Sequence, residues 1–200
     1  MERRPVRIQR LTGKEAEDRL PDLARLRLTV FRDWPYLYEG DVAYERRYLE
    51  TYAATEGSVI VAAFDGDHVI GAATALPMAG EPENVKAPFR ALGYDIDRLF
   101  YFGESVLLST YRGQGVGVAF FEQREAHARD LGGFDHAAFC GVVRSEADPR
   151  RPKDFVPLDE FWGHRGYRKL DGATCDFSWK EIGCQSETKK TMQFWIKRLT

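Results

Sequence analysis

The sequence predicts one domain of mixed α/β (α+β) class, in which helices flank a single β-sheet. Its 200 residues suit one domain with a sizeable core, and we expect that domain to span residues 1–200. Hydrophobic residues make up 44% of the chain, which is enough apolar surface to offset the entropy of ordering it and excludes an intrinsically disordered protein. β-rich runs alternate with amphipathic helical patterns, as a mixed α/β fold requires.

The first third of the chain predicts a strand and two helices. Residues 4–11 alternate apolar and polar side chains, as a half-buried strand does. Apolar residues recur at helical spacing over 20–31, which predicts a helix with Pro21 near its start or at a kink. Asp41 is a suitable N-cap for a second helix, which Gly57 ends.

The rest of the chain predicts a hairpin, a strand–helix–strand unit and a closing set of strands. Two β-rich runs, 58–64 and 69–76, are joined through Asp65 and Gly66, and this pattern predicts the hairpin. The later elements are expected in this order: a loop at 77–88, a short helix within 85–92, a strand at 99–108, a helix at 115–131, a strand at 134–143, a short helix ending at Gly166, a strand at 167–170, a turn at Asp171 and Gly172, and further β-like stretches, of which 190–198 closes the sheet.

Charge, hydropathy and cysteine usage exclude several classes of protein. The 29 Lys and Arg residues face 31 Asp and Glu residues, so no overall basic surface for nucleic acid is expected. The first ten residues lack an apolar signal-peptide core, and no apolar run is long enough to span a membrane, so we expect a cytoplasmic protein with no membrane partner. Three cysteines without CxxC spacing predict neither disulfides nor a metal site.

The most informative segment is the glycine-rich run at 111–117, between a predicted strand and a predicted helix. Gly113, Gly115 and Gly117 lack Cβ atoms, so the backbone there can turn tightly and approach a ligand closely. Unpaired amides at the start of a helix favour phosphate oxygens, which makes a pyrophosphate the natural ligand. The alternative is a tight strand-to-helix connection that binds nothing.

The residues around these glycines narrow the choice of phosphate ligand. A Walker A loop needs a lysine after its last glycine, whereas Val118 follows Gly117 here. A dinucleotide site needs G-x-G-x-x-G and an acidic residue that closes the next strand, whereas these glycines are spaced G-x-G-x-G and Asp135 opens its strand. With a Walker A loop and a dinucleotide site excluded, the ligand that remains is another nucleotide-containing cofactor.

The segment resembles the acetyl-CoA loop of the GNAT superfamily of N-acetyltransferases, Arg/Gln-x-x-Gly-x-Gly/Ala, which Arg112, Gly115 and Gly117 match. The strand that ends at 104–108 and the late segment 161–167 also resemble that family. The resemblance implies a mostly antiparallel sheet flanked by helices, acetyl-CoA as co-substrate, and direct transfer of the acetyl group to the primary amine of a small molecule in a ternary complex. It also implies that the sheet opens between the strands at 104–108 and 134–143.

The resemblance further implies which residues form the two halves of the site. The residues assigned to acetyl-CoA are Val106, Leu107, Leu108, Arg112, Gly113, Gln114, Gly115, Val116, Gly117 and Val118. Glu104 would be the catalytic residue that helps to remove the amine's proton; the alternative is a structural ion pair with Arg124 or a lysine. The family's late tyrosine, which protonates the CoA thiolate, is replaced by Trp162, which leaves Tyr167 and His164 as weaker candidates for the acid.

The acceptor amine is expected beside the connection between the first two helices. The residues assigned to it are Trp34, Tyr36, Tyr38, Glu39 and Asp41. Aromatic faces and carboxylates both attract ammonium groups. The alternatives give these rings to the core or to the interface of a homodimer. A further alternative for the whole chain, which the missing tyrosine favours slightly, is a catalytically silent acyl-CoA-binding or interaction module.

Overall fold

A computed structural model describes residues 5–200 of the chain, except for the side chains of Thr51 and Ala53. The strands are β1 (Arg7–Leu11), β2 (Val59–Asp65), β3 (His68–Pro77), β4 (Leu99–Leu107), β5 (His136–Val142), β6 (Arg168–Lys180) and β7 (Glu187–Arg198). The helices are α1 (Gly13–Glu17), α2 (Leu20–Val30), α3 (Val42–Ala54), α4 (Glu83–Ala91), α5 (Val116–Leu131) and α6 (Asp159–His164). The mixed α/β class is confirmed.

The strands form one seven-stranded sheet in the order β1-β2-β3-β4-β5-β7-β6. Its neighbouring strands are antiparallel except for β4 and β5, which are parallel and connected through α5. The predicted hairpin of β2 and β3 and the predicted strand–helix–strand unit are both present. The mostly antiparallel sheet is therefore confirmed as well.

Only a short ladder joins the two halves of the sheet. β4 and β5 pair at Leu99 with His136, at Phe100 with Ala137 and at Tyr101 with Ala138. Beyond that point β4 continues against β3, while β5 continues against β7. A cleft therefore opens between β4 and β5 where the sequence resemblance implied it.

The two faces of the sheet bury different helices. Helix α5 covers one face, where its Phe120 and Phe121 pack with Phe100 and Phe102 of β4. Helices α1 to α4 cover the other face, which holds buried apolar side chains such as Leu23 and Phe89. Aromatic and branched aliphatic side chains dominate both layers, and their burial is the main stabilising contribution to the fold.

Asp41 is confirmed as the residue that caps α3. Its Oδ1 accepts hydrogen bonds from the amides of Ala43, at 2.9 Å, and Tyr44, at 3.0 Å. These are amides of the first turn that have no partner inside the helix, so the cap stabilises the start of α3. The carboxylate expected to bind the acceptor is thus engaged with its own helix.

The structure corrects the sequence prediction at two places. The residues after β1 form the short helix α1, which the sequence pattern at Thr12 and Gly13 does not predict. The expected turn at 171–172 lies inside the continuous strand β6, where the pairing with β7 changes register between Lys169 and Thr174. An irregularity of the β-bulge type accommodates Gly172 there without ending the strand. The predicted start of β1 at residue 4 lies outside the described residues.

Residues 5–200 contain neither a membrane-spanning helix nor a cluster of metal ligands. None of the described helices combines the length and the apolar character that crossing a bilayer requires. The described histidine, cysteine and carboxylate side chains form no group of three that could hold a metal ion.

Candidate active site

The glycine-rich segment folds as a tight turn that leads into α5. Gly113 and Gly115 have φ values of 75° and 81°, in the left-handed region that favours glycine. Gly115 is the N-cap residue, no side chain caps the helix, and its first turn contains no acidic residue. The positive end of the helix dipole is therefore not neutralised by the helix itself.

The amides of this turn are unused. In the part of the chain that the structure describes, the backbone N–H groups of residues 113–118 donate to no carbonyl or side chain. A Cβ atom built at Gly113 or Gly115 would meet nothing within 4 Å, so there is open space beside the donors. Arg112 is exposed next to them, while Gln114 Nε2 donates back to Thr110 O at 3.1 Å. The turn can therefore accept an anion.

The strand before this turn has one free edge along the cleft. The amide of Leu108 donates to Ile70 O at 3.0 Å, so it points towards β3. Because backbone groups alternate between the two edges of a strand, Val106 also faces β3, and Leu107 faces the cleft. Of the three residues expected to bind the cofactor arm through their backbone, the structure thus turns only Leu107 towards the free edge.

A β-bulge in β4 decides where the Glu104 side chain lies. Ala75 pairs with Phe102 and Ala73 pairs with Ser105, so two residues of β4, Gly103 and Glu104, lie opposite Thr74 alone. Regular alternation would put Glu104 on the face of Phe102, against α5. The bulge turns it to the opposite face, where it meets α2 and α3.

Gly103 makes this bulge sterically feasible. A Cβ atom there would lie 2.4 Å from Tyr52 Oη and 2.5 Å from Thr74 Oγ1. The same Thr74 Oγ1 accepts the amide of Glu104 at 3.2 Å, so the bulged backbone keeps a hydrogen bond. The Glu104 side chain therefore projects from a fixed position in the sheet.

The Glu104 carboxylate is buried, with 8% of the residue exposed, and its two oxygens differ. Oε2 forms an ion pair with Arg27 Nη1 at 2.8 Å and accepts a hydrogen bond from Tyr48 Oη at 3.3 Å. Oε1 has no hydrogen-bond partner among the described residues. Arg27 also binds Glu45, so one buried guanidinium neutralises carboxylates from α3 and β4. A buried carboxylate oxygen without a partner is costly, and such groups occur at functional sites.

Two tyrosines extend the hydrogen bonding away from Glu104. Tyr48 and Tyr52 lie one turn apart on α3, and their hydroxyl oxygens are 3.1 Å apart. Tyr52 Oη in turn donates to Glu81 Oε1 at 3.2 Å. Burial raises the pKa of both tyrosines well above the ordinary value, so both hydroxyls are protonated at neutral pH. Burial also raises the pKa of Glu81, to about 7, against the opposing effect of the Tyr52 hydrogen bond.

Arg124 supports the bulge from the α5 side. It is 2% exposed, and its Nη1 lies 3.3 Å from Thr74 O and 3.4 Å from Glu104 O. Its guanidinium also stacks on the ring of Phe102, 4.2 Å from the ring centre. Burial lowers its pKa to about 10, which still leaves it charged at neutral pH. The expected ion pair of Glu104 therefore exists, but with Arg27, while Arg124 holds the backbone of Glu104.

Neither a protein-family model nor a curated protein matches the sequence. Solved structures match it over nearly its whole length. Arabidopsis thaliana NAA60 in complex with acetyl-CoA is 13% identical, with a TM-score of 0.64, 98% of this chain covered and 99% of that one. The ribosomal-protein-alanine N-acetyltransferase of Brucella melitensis is 16% identical, with a TM-score of 0.62 and coverage of 96% and 99%. An acetyltransferase of the GNAT family from Streptococcus pneumoniae is 11% identical, with a TM-score of 0.58 and coverage of 98% and 100%. This chain has the GNAT fold.

On this GNAT fold Tyr167 is not placed as an acid for the cleft. It is 3% exposed, and its hydroxyl donates to Glu125 Oε1 at 3.1 Å on the α5 face. Glu125 is also bound by Lys197 Nζ, at 2.8 Å. Burial raises the Tyr167 pKa well above the ordinary value, so its proton is held in a structural hydrogen bond. Trp162 packs on Phe139 and the Gly141 backbone of β5, and it offers no hydroxyl in its place.

The residues expected to bind the acceptor on the GNAT fold fall into two groups. Asp41 caps α3, and Glu39 forms a surface ion pair with Lys180 at 3.2 Å. Trp34 packs edge-on against Phe155, and burial together with the nearby Glu45 raises the pKa of Tyr38 above its ordinary value. Tyr36 differs from the other four residues. Burial raises the pKa of its hydroxyl most strongly, and Cys140, Arg27, Glu104 and Arg144 also act on it electrostatically.

Residues 34–39, called the roof below, are hydrogen-bonded to residues that lie far along the chain, at 144 and 179–182. The bonds are Glu39 N to Lys180 O at 2.9 Å, Ile182 N to Leu37 O at 2.8 Å, Trp179 Nε1 to Tyr36 O at 2.9 Å and Arg144 Nε to Pro35 O at 2.7 Å. Glu181, buried, forms ion pairs with Arg144 and Arg150, each at 2.6 Å. Arg144 and Arg150 thus join the loop after β5 to Glu181, which lies between the two residues that bind the roof.

The residues that surround Glu104 are not among those that the sequence predicts for the site. Arg27 lies on the apolar stripe of α2, where a charged residue is unusual and signals a buried partner. Tyr48 and Tyr52 have the spacing of one helix face, which predicts that they are neighbours but not what they bind. Glu81 stands in a loop rich in proline and glycine, and no sequence pattern marks it.

Proposed function

We propose that this protein is an acetyl-CoA-dependent N-acetyltransferase that transfers the acetyl group directly to the primary amine of a small molecule. The observation that carries the proposal is the position of the buried Glu104, with one unpartnered oxygen, beside a sheet cleft that leads to a turn of unused amides. A fold shared with acetyltransferases supports the reaction type, although fold alone does not establish an activity.

The residues present fit acetyl-CoA. The amides of residues 113–118 would hold its pyrophosphate at the positive end of α5, with Arg112 adding a positive charge beside them. The free edge of β4 at Leu107 would hydrogen-bond the pantetheine amides. When bound, acetyl-CoA supplies a thioester that an uncharged amine can attack and a thiolate that leaves readily.

The side chains near the cleft would bind the acceptor amine and remove its proton. An ammonium group is drawn to the carboxylate of Glu104 and to the tyrosine rings beside it. Glu104 Oε1 has a free lone pair for one of its protons, and removal of that proton produces the nucleophile. Tyr167 and Trp162 offer no proton to the leaving thiolate, so solvent would protonate it.

The roof supports a small acceptor rather than a polypeptide. Tyr36 packs against the apolar layers on the helix-side face of the sheet, and its hydroxyl interacts electrostatically with Arg27 and Glu104, so the roof lies on the same face as Glu104. An extended peptide laid across that face would have to displace the roof and break its bonds to Lys180 and Ile182. A compact amine requires no such displacement.

The deciding experiment measures free CoA thiol when acetyl-CoA is mixed with a panel of amines. We expect release with small amines such as 2-phenylethylamine or putrescine, and little with a peptide that begins with alanine. Transfer to the peptide alone would leave the reaction class intact and overturn the small acceptor. If acetyl-CoA binds but no amine releases thiol, the chain is a non-catalytic acyl-CoA-binding module.

Glu104→Gln is expected to lower kcat near pH 7 about a hundredfold, because the amide cannot take the amine's proton. The effect should shrink at high pH, where the amine is uncharged in solution. KM for acetyl-CoA should stay unchanged. Glu122→Gln, an exposed substitution on α5, is the matched control. A variant with a wild-type pH–rate profile, under conditions in which chemistry limits the rate, would show that Glu104 is structural.

A further inference from the structure

The chain of hydrogen bonds from Glu104 leads to a second carboxylate that the proposed reaction does not yet use. Glu104 Oε2, Tyr48 Oη, Tyr52 Oη and Glu81 Oε1 follow one another at separations of 3.3, 3.1 and 3.2 Å. Glu104 is buried at one end, and Glu81 is partly exposed at the other. The chain thus connects the cleft with solvent.

We propose that this chain is a proton relay, and that Glu81 is the residue which finally receives the proton released by the acceptor amine. The proposal rests on the proposed function, since it describes how that reaction disposes of its proton. It assigns a role to Glu81, Tyr52 and Tyr48 that neither the sequence pattern nor the fold provides.

The two carboxylate oxygens of Glu104 differ in their hydrogen-bond partners, and this difference fits the two steps of the relay. Oε1 has no partner and is free to take the ammonium proton. Oε2 already contacts Tyr48, and Arg27 holds this oxygen in place at 2.8 Å. The proton is therefore accepted on Oε1, and the neutral carboxyl group, no longer held by its charge against Arg27, then rotates to bring that proton to Tyr48.

The proton count balances without any charged tyrosine. Once Glu104 is protonated, its O–H turns to Tyr48 and the Tyr48 O–H turns from Glu104 to Tyr52. Glu104 then gives its proton to Tyr48, Tyr48 gives its own to Tyr52, and Tyr52 gives its own to Glu81. Three hydrogen bonds reverse direction, Glu104 returns to its carboxylate form and Glu81 becomes neutral. The raised pKa values of both tyrosines agree with this, because the hydroxyls are neutral before and after each transfer.

The surroundings of Glu81 suit a terminal acceptor. The groups that interact with it electrostatically are Tyr48 and Tyr52 from α3, Glu104 and Tyr101 from β4, Lys86 from α4 and Cys175 from β6. Burial and the nearby Glu104 charge raise its pKa to about 7, while Tyr52 and Lys86 act in the opposite direction. Above that pH Glu81 is ionised and can accept a proton; below it Glu81 is already protonated and the relay stops.

The test compares kcat against pH for wild type, Glu81→Gln and Tyr52→Phe, with acetyl-CoA and 2-phenylethylamine or the fastest amine of the panel. Wild-type kcat should fall as the pH drops through about 7. In Glu81→Gln, kcat at pH 8 should be roughly tenfold lower and the change near pH 7 should be absent. Tyr52→Phe should show the same loss, and both variants should keep the wild-type KM for acetyl-CoA. Glu81→Asp should restore part of the pH dependence.

The matched control is Glu83→Gln, an exposed substitution two residues away whose only described ion-pair partner is Arg90. It should behave as wild type. A merely structural role for Glu81 or Tyr52 would lower kcat equally at every pH and leave the change near pH 7 in place, which would overturn the relay.

The proposed function and the relay fail in different ways. Wild-type protein that releases no thiol with any amine contradicts both. Wild-type turnover together with unchanged kcat and pH dependence in Glu81→Gln and Tyr52→Phe contradicts the relay alone. Titration of the carboxyl carbons by NMR gives a readout without turnover: a Glu81 that titrates in the ordinary range of an exposed carboxyl would remove the terminal acceptor.

Discussion

Replacing Gly115 with aspartate is expected to weaken acetyl-CoA binding roughly a thousandfold. The residue lies at the N-cap of α5, among the unused amides, with open space where its side chain would project. The new carboxylate would occupy the pyrophosphate position, and two unit charges about 4 Å apart near a protein surface repel by about 4 kcal/mol. Each 1.4 kcal/mol changes the affinity about tenfold. Calorimetric titration with acetyl-CoA measures the effect.

Gly93→Asp provides the control for backbone strain. Gly93 has φ of 80°, close to the 81° of Gly115, and a Cβ there also meets no atom within 4 Å. Both substitutions therefore impose a similar local strain, but Gly93 lies after α4, away from the turn. Unchanged affinity in folded Gly115→Asp protein would refute the cofactor site.

Replacing Arg27 with methionine is expected to destabilise the fold by about 3–5 kcal/mol. Methionine fills a similar volume, but it leaves two buried carboxylates, Glu45 and Glu104, without their shared cation. Removing one partner of a buried ion pair is costly because the remaining charge keeps its desolvation penalty. The free energy of unfolding in urea measures the loss.

Arg25→Met is the control for Arg27→Met on the same helix. The Arg25 side chain is 59% exposed and pairs with Asp22 at the surface, so its removal should cost less than about 1 kcal/mol. Adding Glu104→Gln to Arg27→Met should restore part of the stability. Equal stability of the two single variants would show that the buried cluster contributes little to folding.

The sequence was sufficient for features whose cause is local. The turn at 113–118 follows from the glycine spacing between a strand and a helix, and the cap at Asp41 follows from its position before a helical pattern. Hydrophobic periodicity located the remaining strands and the larger helices. A glycine inside a continuous strand, as in β6 at 172, was the exception, because a bulge and a turn share the same residue preferences.

The surroundings of Glu104 could not be derived from the sequence, for two physical reasons. Regular alternation along β4 assigns Glu104 to the α5 face, and the bulge opposite Thr74 reverses that assignment. Its partner Arg27 is remote in sequence, and a one-dimensional pattern contains no information on which of 29 cationic residues will be near. Arg124, the cation expected from the sequence, contacts the backbone of the same residue instead.

The two halves of the site differ in the sequence separation of the residues that form them. The glycine-rich turn at 113–118 joins β4 to α5 along the chain, so its geometry is complete once those neighbouring segments pack. The roof is held in position by distant residues, Arg144 and the segment 179–182 at the end of β6 and just beyond it. Closing so long a loop is entropically unfavourable until the intervening sheet has formed. The glycine-rich turn can therefore form as soon as its neighbouring segments pack, whereas the roof reaches its position only when β6 is in place.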